Sequence, residues 1–382
     1  MSAPNAVYIH IPFCTNKCHY CDFNSYVLKG QPVMEYLDAL DREMELTTKR
    51  MPPARIDTIF VGGGTPTVLT PELMDVFLGM VRKHFDYDPQ AVEFTMEANP
   101  GTTDEDKLAV MRAGGVNRIS FGVQSFDNTL LHRIGRIHNT EDVYRSLELA
   151  RKAGFANLSI DLMFGLPGQT VELLEQSLNE ALQLELEHYS IYGLKVEENT
   201  VFHKLFQRNE LPLPSEEDEV QMYQLIMDRL LREGYEQYEI SNFAKPGFAS
   251  KHNITYWRNQ PYYGLGAGAH GYANGIRHVN AKGIAEYINA VSTGLPTIET
   301  LQVPRNEAME DFMMVGLRML EGVQNKDFIA QFGEPMEDVF GQPLQRLTEA
   351  GLLTQHQAGY RLSDQGILLG NEVFGAFIGV LE

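Results

Sequence analysis

The feature that most constrains this chain is Cys14-Thr15-Asn16-Lys17-Cys18-His19-Tyr20-Cys21, which holds all three cysteines of the 382-residue sequence within eight positions. Three thiolates this close can hold three corners of a cubane iron–sulfur cluster, because Cys thiolates are the usual protein ligands of such clusters. A cubane held at three corners keeps one iron open to a further ligand. A Cys3His zinc site that borrows His10 or His19 is the competing reading. Structural zinc usually draws a second ligand pair from further downstream, and the sequence has no such pair of cysteines. Three unrelated buried thiols are the remaining alternative.

The rest of the composition narrows the partners. With 51 acidic against 31 basic residues the net charge is -20, and such a surface repels phosphate backbones and anionic membrane faces. No strong Lys/Arg cluster is visible, so nucleic acid is not expected as a partner. Hydrophobic residues make up 43%, ample for a sizeable core. No signal peptide and no apolar run long enough to span a bilayer is apparent. A cluster-binding chain without disulfide candidates fits a reducing, cytoplasmic compartment.

Along the chain, strand and helix patterns alternate. Val7 to Pro12 reads as an apolar, β-branched strand running into the cysteine loop. Helical spacing follows from about Met34 to Met51. A second strand, Asp57–Val61, runs into Gly62-Gly63-Gly64-Thr65-Pro66. Thr70 is placed as an N-cap, with Pro71 in the first helical turn. Further strands are expected near Glu93–Ala98, Arg118–Val123, Leu158–Met163 and Tyr189–Leu194, with helices near 103–114, 140–153 and 170–185. Six strand–helix units argue for an α/β fold with a parallel sheet, an open partial (βα)6 barrel. On that fold the cysteines follow strand one, the glycines strand two, and Gln124 strand four. Glu97 closes strand three, and Asp161 lies on strand five. Active sites of such barrels are assembled at the C-terminal ends of the strands.

The cysteine spacing, Cys-x3-Cys-x2-Cys, resembles that of the radical S-adenosylmethionine (SAM) superfamily, and Gly62–Pro66 resembles its glycine motif. The resemblance implies a [4Fe–4S] cluster on Cys14, Cys18 and Cys21, with SAM on the open iron. It also implies Gly63 along the methionine group, Glu97 near the ribose and Tyr20 beside the adenine, although Tyr20 could equally be a packing residue. Tyr8-Ile9-His10-Ile11-Pro12-Phe13-Cys14, Phe121–Phe126 and Asp161–Thr170 are similar to the coproporphyrinogen III dehydrogenase (HemN) branch. In that branch a tyrosine placed as Tyr8 contacts SAM, and Gly64, Thr65, Gln124, Arg136 and Asp161 match positions around a second SAM. Bland readings stand beside these: Arg136 as a solvated helix-end charge, Asp161 as a strand-end acceptor. The dehydrogenase carries a further cysteine where this chain has Phe23, and a longer segment before the first cysteine, where this chain has thirteen residues. Both departures are what the HemW-type haem chaperones of the branch show, and the chain resembles them nearly end to end.

Beyond the barrel, Leu211-Pro212-Leu213-Pro214 reads as a stiff linker, and Ser215 with Asp218 as a capping box opening a helix to about Arg232. Lys251-His252-Asn253-Ile254-Thr255-Tyr256-Trp257-Arg258 then combines a haem-ligand residue type with flat aromatic surfaces. A lone histidine beside aromatics is more often a packed core residue. The stretch resembles the His-Asn-x-x-Tyr-Trp motif of the haem chaperones, which implies haem at His252, Tyr256 and Trp257, with His252 on the iron. Gly264 to Gly268 lacks the context of a dinucleotide fingerprint and is read as permitting close backbone packing, with His270 a spare ligand candidate. From about Asn306 the pattern is compact, mostly helical and winged-helix-like; without a basic face it suits a covering or docking role.

The organisation expected is a radical SAM barrel over 1–210, a linker and haem-motif region over 211–300, and a helical, winged-helix-like domain over 301–382. The resemblance implies [4Fe–4S], SAM (one or two) and haem as cofactors, with delivery of haem to haem-accepting proteins. An electron donor for the cluster is implied too, with peripheral contact with membrane proteins and a homodimer as further options. The alternative function is oxygen-independent coproporphyrinogen III dehydrogenase, and a third is a radical SAM enzyme on an unrelated substrate.

Overall fold

The computed structural model describes residues 3–381. Six parallel strands form its wall: β1 (Ala6–Ile11), β2 (Thr58–Gly63), β3 (Glu93–Ala98), β4 (Arg118–Gln124), β5 (Asn157–Phe164) and β6 (His188–Gly193). Each pairs in parallel with the next in chain order. Helices α1 (Val33–Arg50), α2 (Pro71–His84), α3 (Glu105–Ala113), α5 (Thr140–Lys152) and α6 (Val171–Gln183) cover the outside, while the short α4 (Asn128–Arg133) puts Leu130 and Leu131 in a separate cluster with Phe202 and Tyr20. The expected partial (βα)6 barrel is therefore present, and Thr70 caps α2 by accepting from the Leu73 amide.

Strand periodicity decides what faces where. Ile9, Val61, Met96, Phe121, Ile160 and Ile191 point outward and are essentially fully buried under the helices. Burial of each such side chain contributes about 1.5–3 kcal/mol. The alternate positions, among them Tyr8, Thr95, Glu97, Ser120, Asp161 and Ser190, line a polar interior. That alternation leaves the C-terminal rim of the wall rich in groups able to hold a ligand.

After α7 (Val201–Gln207), Ser215 and Asp218 form the expected capping box of α8 (Glu216–Arg232). The strands β7 (Glu236–Glu239) and β8 (Asn242–Ala244) extend the sheet antiparallel beyond β6. Next come α9 (Lys251–Trp257) and β9 (Tyr263–Leu265), and β9 pairs in parallel with the free edge of β1. The wall stays open because β8 and β9 occupy the edges that closure would join. A side chain at Gly264 would collide with the His270 carbonyl, so the glycine-rich segment does permit a close backbone approach. The strands β10 (His270–Ala273), β11 (Ile276–Asn280) and β12 (Thr297–Gln302) form a small antiparallel sheet, and α10 (Ile284–Thr293) packs on α1.

The core boundary differs from the expected division at 210 and 211. Met222, Ile226, Phe243, Tyr263 and Tyr287 share one hydrophobic core with the barrel, since segment 211–300 supplies strands to both edges of its sheet. A second core begins near Met309. It is built from α11 (Arg305–Gly316), β13 (Val323–Gln324), α12 (Asn325–Phe332), α13 (Met336–Glu349), β14 (Leu353–His356), β15 (Gly359–Leu362), α14 (Asp364–Leu368) and α15 (Gly370–Gly375). Its three strands run in the order β13-β15-β14, a helix pair with a wing hairpin, as the sequence suggests. No helix among the described residues is long and apolar enough to cross a membrane.

Candidate functional site at the barrel rim

The cysteine loop is fastened at several points. The Cys14 carbonyl accepts from the Leu28 amide, the His19 amide donates to Ile134 O, and the Phe202 amide donates to His19 O. Asn16 Nδ2 donates to Gly135 O at 2.9 Å. These bonds tie the loop to the end of α4 and the start of α7. All three thiols are free and partly exposed. Burial pushes the Cys14 and Cys21 thiols up, and a hydrogen bond with Thr65 partly opposes this at Cys14.

Zinc fits poorly here. His10, one borrowed ligand considered, has Nδ1 bonded to the Tyr8 hydroxyl at 2.9 Å and Nε2 to Asn24 O at 2.8 Å. His19, the other, uses Nδ1 on Arg133 O at 3.0 Å.

The glycine turn runs beneath the loop. Gly63 has φ +104°, a conformation that an L side chain rarely adopts, and a Cβ there would strike the His10 ring. A Cβ on Gly64 would lie 2.5 Å from Phe13 O. Thr65 is buried, its hydroxyl 3.6 Å from Cys14 Sγ. The Gly63 amide donates to Glu97 Oε2 at 3.2 Å. Burial, aided by nearby Asp161, pushes the Glu97 carboxyl up to about 8. Burial also raises Asp161, against the pull of hydrogen bonds from Ser190 and Ser120.

Arg136 joins the two sides. Its Nη1 donates to Cys18 Sγ at 3.4 Å and its Nη2 to Asn99 Oδ1 at 2.6 Å and to the Gly122 carbonyl. Burial lowers its pKa, but Tyr20 and Cys18 push the other way and the net shift is upward. It is thus a half-buried, charged group with contacts on both sides of the rim. Asn99, which sequence reasoning missed, donates to Thr65 Oγ1 at 2.7 Å; the signal was its place two residues after Glu97, opening an Asn-Pro-Gly turn. Gln124 is buried with φ 71°, where the β4–β5 register shifts. Tyr20 packs against the small apolar cluster of Leu130, Ile134 and Phe202.

These residues fit the group that the sequence implies. Three free thiols border a glycine cradle with no room for side chains, and the buried Arg136 Nε has no partner among the described residues. A buried donor without a partner is uncommon, and a bound ligand would supply one.

The structure does not bring the haem-motif residues to this rim. His252 lies where the strands begin, its Nδ1 2.9 Å from Thr58 Oγ1 and its Nε2 2.8 Å from the Tyr256 hydroxyl. The His252 amide donates to Glu93 Oε1 at 3.0 Å. The ring is 1% exposed, and burial with nearby Arg118 pushes its pKa down to about 3. Neither nitrogen is open to an iron in this arrangement, contrary to the expectation of an axial ligand. Tyr8, Phe60, His252, Tyr256 and Tyr262 instead form a column of neighbouring rings with centroids 4.7 to 6.3 Å apart. Trp257 lies elsewhere, under the guanidinium of Arg318 at 4.4 Å.

Residues 8–181 match the family model of the radical SAM superfamily, and residues 303–369 match that of the HemN C-terminal domain. The chain is 48% identical to heme chaperone HemW of Bacillus subtilis, over 98% of this chain and 100% of that protein. It is 36% identical to heme chaperone HemW of Escherichia coli, over 98% of each chain. The structure of the HemN coproporphyrinogen III oxidase of Escherichia coli, a radical SAM enzyme, superposes with a TM-score of 0.86. At 24% identity, covering 100% of this chain and 91% of that one, this likeness speaks to the fold. The chain therefore belongs to the radical SAM superfamily and, within it, to the HemW family.

Proposed function

We propose that this protein binds haem and hands it to haem-requiring proteins, on a scaffold that carries a [4Fe–4S] cluster and SAM. The observation that carries the reading is kinship with proteins named heme chaperones over 98% of the chain, at up to 48% identity. Phe23 supports it: the position where the dehydrogenase has its further cysteine holds a ring that is 64% exposed.

Membership of the superfamily implies the cluster and SAM. Cys14, Cys18 and Cys21 would hold the cluster, which supplies an electron for reductive cleavage of the SAM sulfonium when bound. Gly63 and Gly64 let the backbone lie close to SAM. Glu97, with its carboxyl protonated through neutral pH, can donate a hydrogen bond as well as accept the one from Gly63. Arg136, Gln124, Thr65 and Asp161 would surround one SAM or two, with Tyr8 deeper in the barrel and Tyr20 beside the loop. The reading includes an electron donor for the cluster, and it extends to a homodimer and peripheral contact with membrane proteins.

The test is anaerobic reconstitution followed by separate titrations with haem and with coproporphyrinogen III. A stoichiometric Soret complex with no protoporphyrinogen supports the proposal. Absent haem binding together with oxidative decarboxylation of coproporphyrinogen would replace it with the dehydrogenase reading.

A further inference from the structure

We propose that haem sits in the cleft between α9 and the C-terminal domain, where Trp257 forms part of the wall, and that His252 is a structural residue outside that site. The inference rests on the haem-binding reading above and places the ligand.

The cleft is a cavity of about 940 Å³, bordered by Trp257 and Arg258 at the end of α9, by the turn between β10 and β11, and by α11 and α12. Ligand sites typically enclose about 300–1,000 Å³ and combine apolar walls with a few polar groups, so the size suits a large, flat cofactor. Phe312, Val303, Phe332 and Trp257 supply apolar wall. The guanidinium of Arg318 covers the indole at 4.4 Å, and Glu239, wholly buried, holds that guanidinium at 3.6 Å. The indole is thus fixed before any ligand arrives, and preorganisation lowers the cost of binding. Its Nε1 is buried and has no hydrogen-bond partner among the described residues.

Charge favours an anionic, apolar ligand. The whole chain carries -20, yet three cations, Arg258, Arg305 and Lys326, border this one cleft against two carboxylates, Glu321 and Asp327. Arg258 pairs with Glu321 at 2.8 Å and Arg305 with Glu334 at 2.6 Å, whereas Lys326 is exposed and forms no ion pair among the described residues. A porphyrin that lays its rings on the aromatic wall can direct its propionates to these cations. Tyr272 and Met319 also line the cleft, and both are residue types that ligate haem iron. The motif that carries the resemblance therefore divides its work: His252 bolts α9 to β2, and Trp257, five positions on, faces the ligand space.

Ferric haem titrated into the full-length protein, followed by absorbance, tests this with three variants. Ala330→Trp adds bulk to the cleft from an exposed position on α12. Lys326→Glu reverses the free charge without touching the core. Both should weaken haem binding by about tenfold or more, with iron content and far-ultraviolet circular dichroism unchanged, while His252→Gln keeps the wild-type Soret position. Wild-type binding that both cleft variants leave unaltered overturns the cleft assignment while the haem reading stands. No binding by the wild type removes the haem reading itself. Should Ala330→Trp misfold, Lys326→Glu decides, together with haem-dependent protection of α11 and α12 from hydrogen exchange; wild-type affinity in Lys326→Glu with no such protection refutes the placement.

Discussion

Arg136 donates a hydrogen bond to the Cys18 thiol across 3.4 Å, although the two residues are 118 positions apart in the chain. The same guanidinium reaches Asn99, which reaches Thr65, which lies beside Cys14. Two cysteines of the loop are thus braced against the barrel through one half-buried cation. Arg136→Met should leave the fold intact and speed iron release to a chelator about tenfold, because a charge-assisted hydrogen bond is worth about 1.5–3 kcal/mol. Unchanged release would show that Arg136 braces nothing.

Gly63 offers a sharper steric test. With φ +104° and the His10 ring against its missing Cβ, Gly63→Ala meets both backbone strain and a collision. A loss of about 1–3 kcal/mol in unfolding free energy is expected, with SAM binding abolished in equilibrium dialysis. Gly79→Ala is the control, since a Cβ there meets nothing within 4 Å.

What the sequence revealed and what it hid have physical causes. All six barrel strands are legible because each alternates an outward apolar set, such as Val7, Ile9 and Ile11, with inward polar or small residues. The strand Tyr263–Leu265 is not, being three residues around a glycine that pairs with Tyr8 and lies in close approach to His270. The cysteines, Gly63 and Glu97 are legible because strand ends must converge in this topology. Asn99 is not, because its role depends on what Arg136 does far away in sequence. In the short helix α9 the residue types suggested haem, but only packing against Thr58 and Glu93 shows which side chain turns inward.

Glu97 makes stability depend on pH. Its folded carboxyl is raised from 4.5 to about 8, so the folded protein holds a proton that the unfolded chain releases. The stability from this proton is fully present below about 4.5 and is lost as pH rises through about 8. The thermal midpoint of SAM-free protein should fall between about pH 5 and pH 8, and Glu97→Gln should flatten that fall. A parallel fall in both proteins would remove Glu97 as its source.

His252 should behave as a structural residue in denaturation. His252→Ala empties a buried site and leaves the Thr58 and Tyr256 hydroxyls without their partner. Losses of about 2–4 kcal/mol are expected for such a change, read from the denaturant midpoint of the reconstituted protein. A shift below about 0.5 kcal/mol, the size of an ordinary surface substitution, would mean that the ring is not held as described.

The central claim, that the protein carries haem in order to release it, is tested most directly by transfer. Haem-loaded protein would be mixed with an excess of a haem-requiring protein in its haem-free form, and the two separated after incubation. The account predicts that the Soret absorbance moves to the acceptor, which gains its haem-dependent activity, while the donor keeps its cluster iron. Haem that stays on the donor through many hours with a competent acceptor present, or that is consumed rather than passed on, would contradict it.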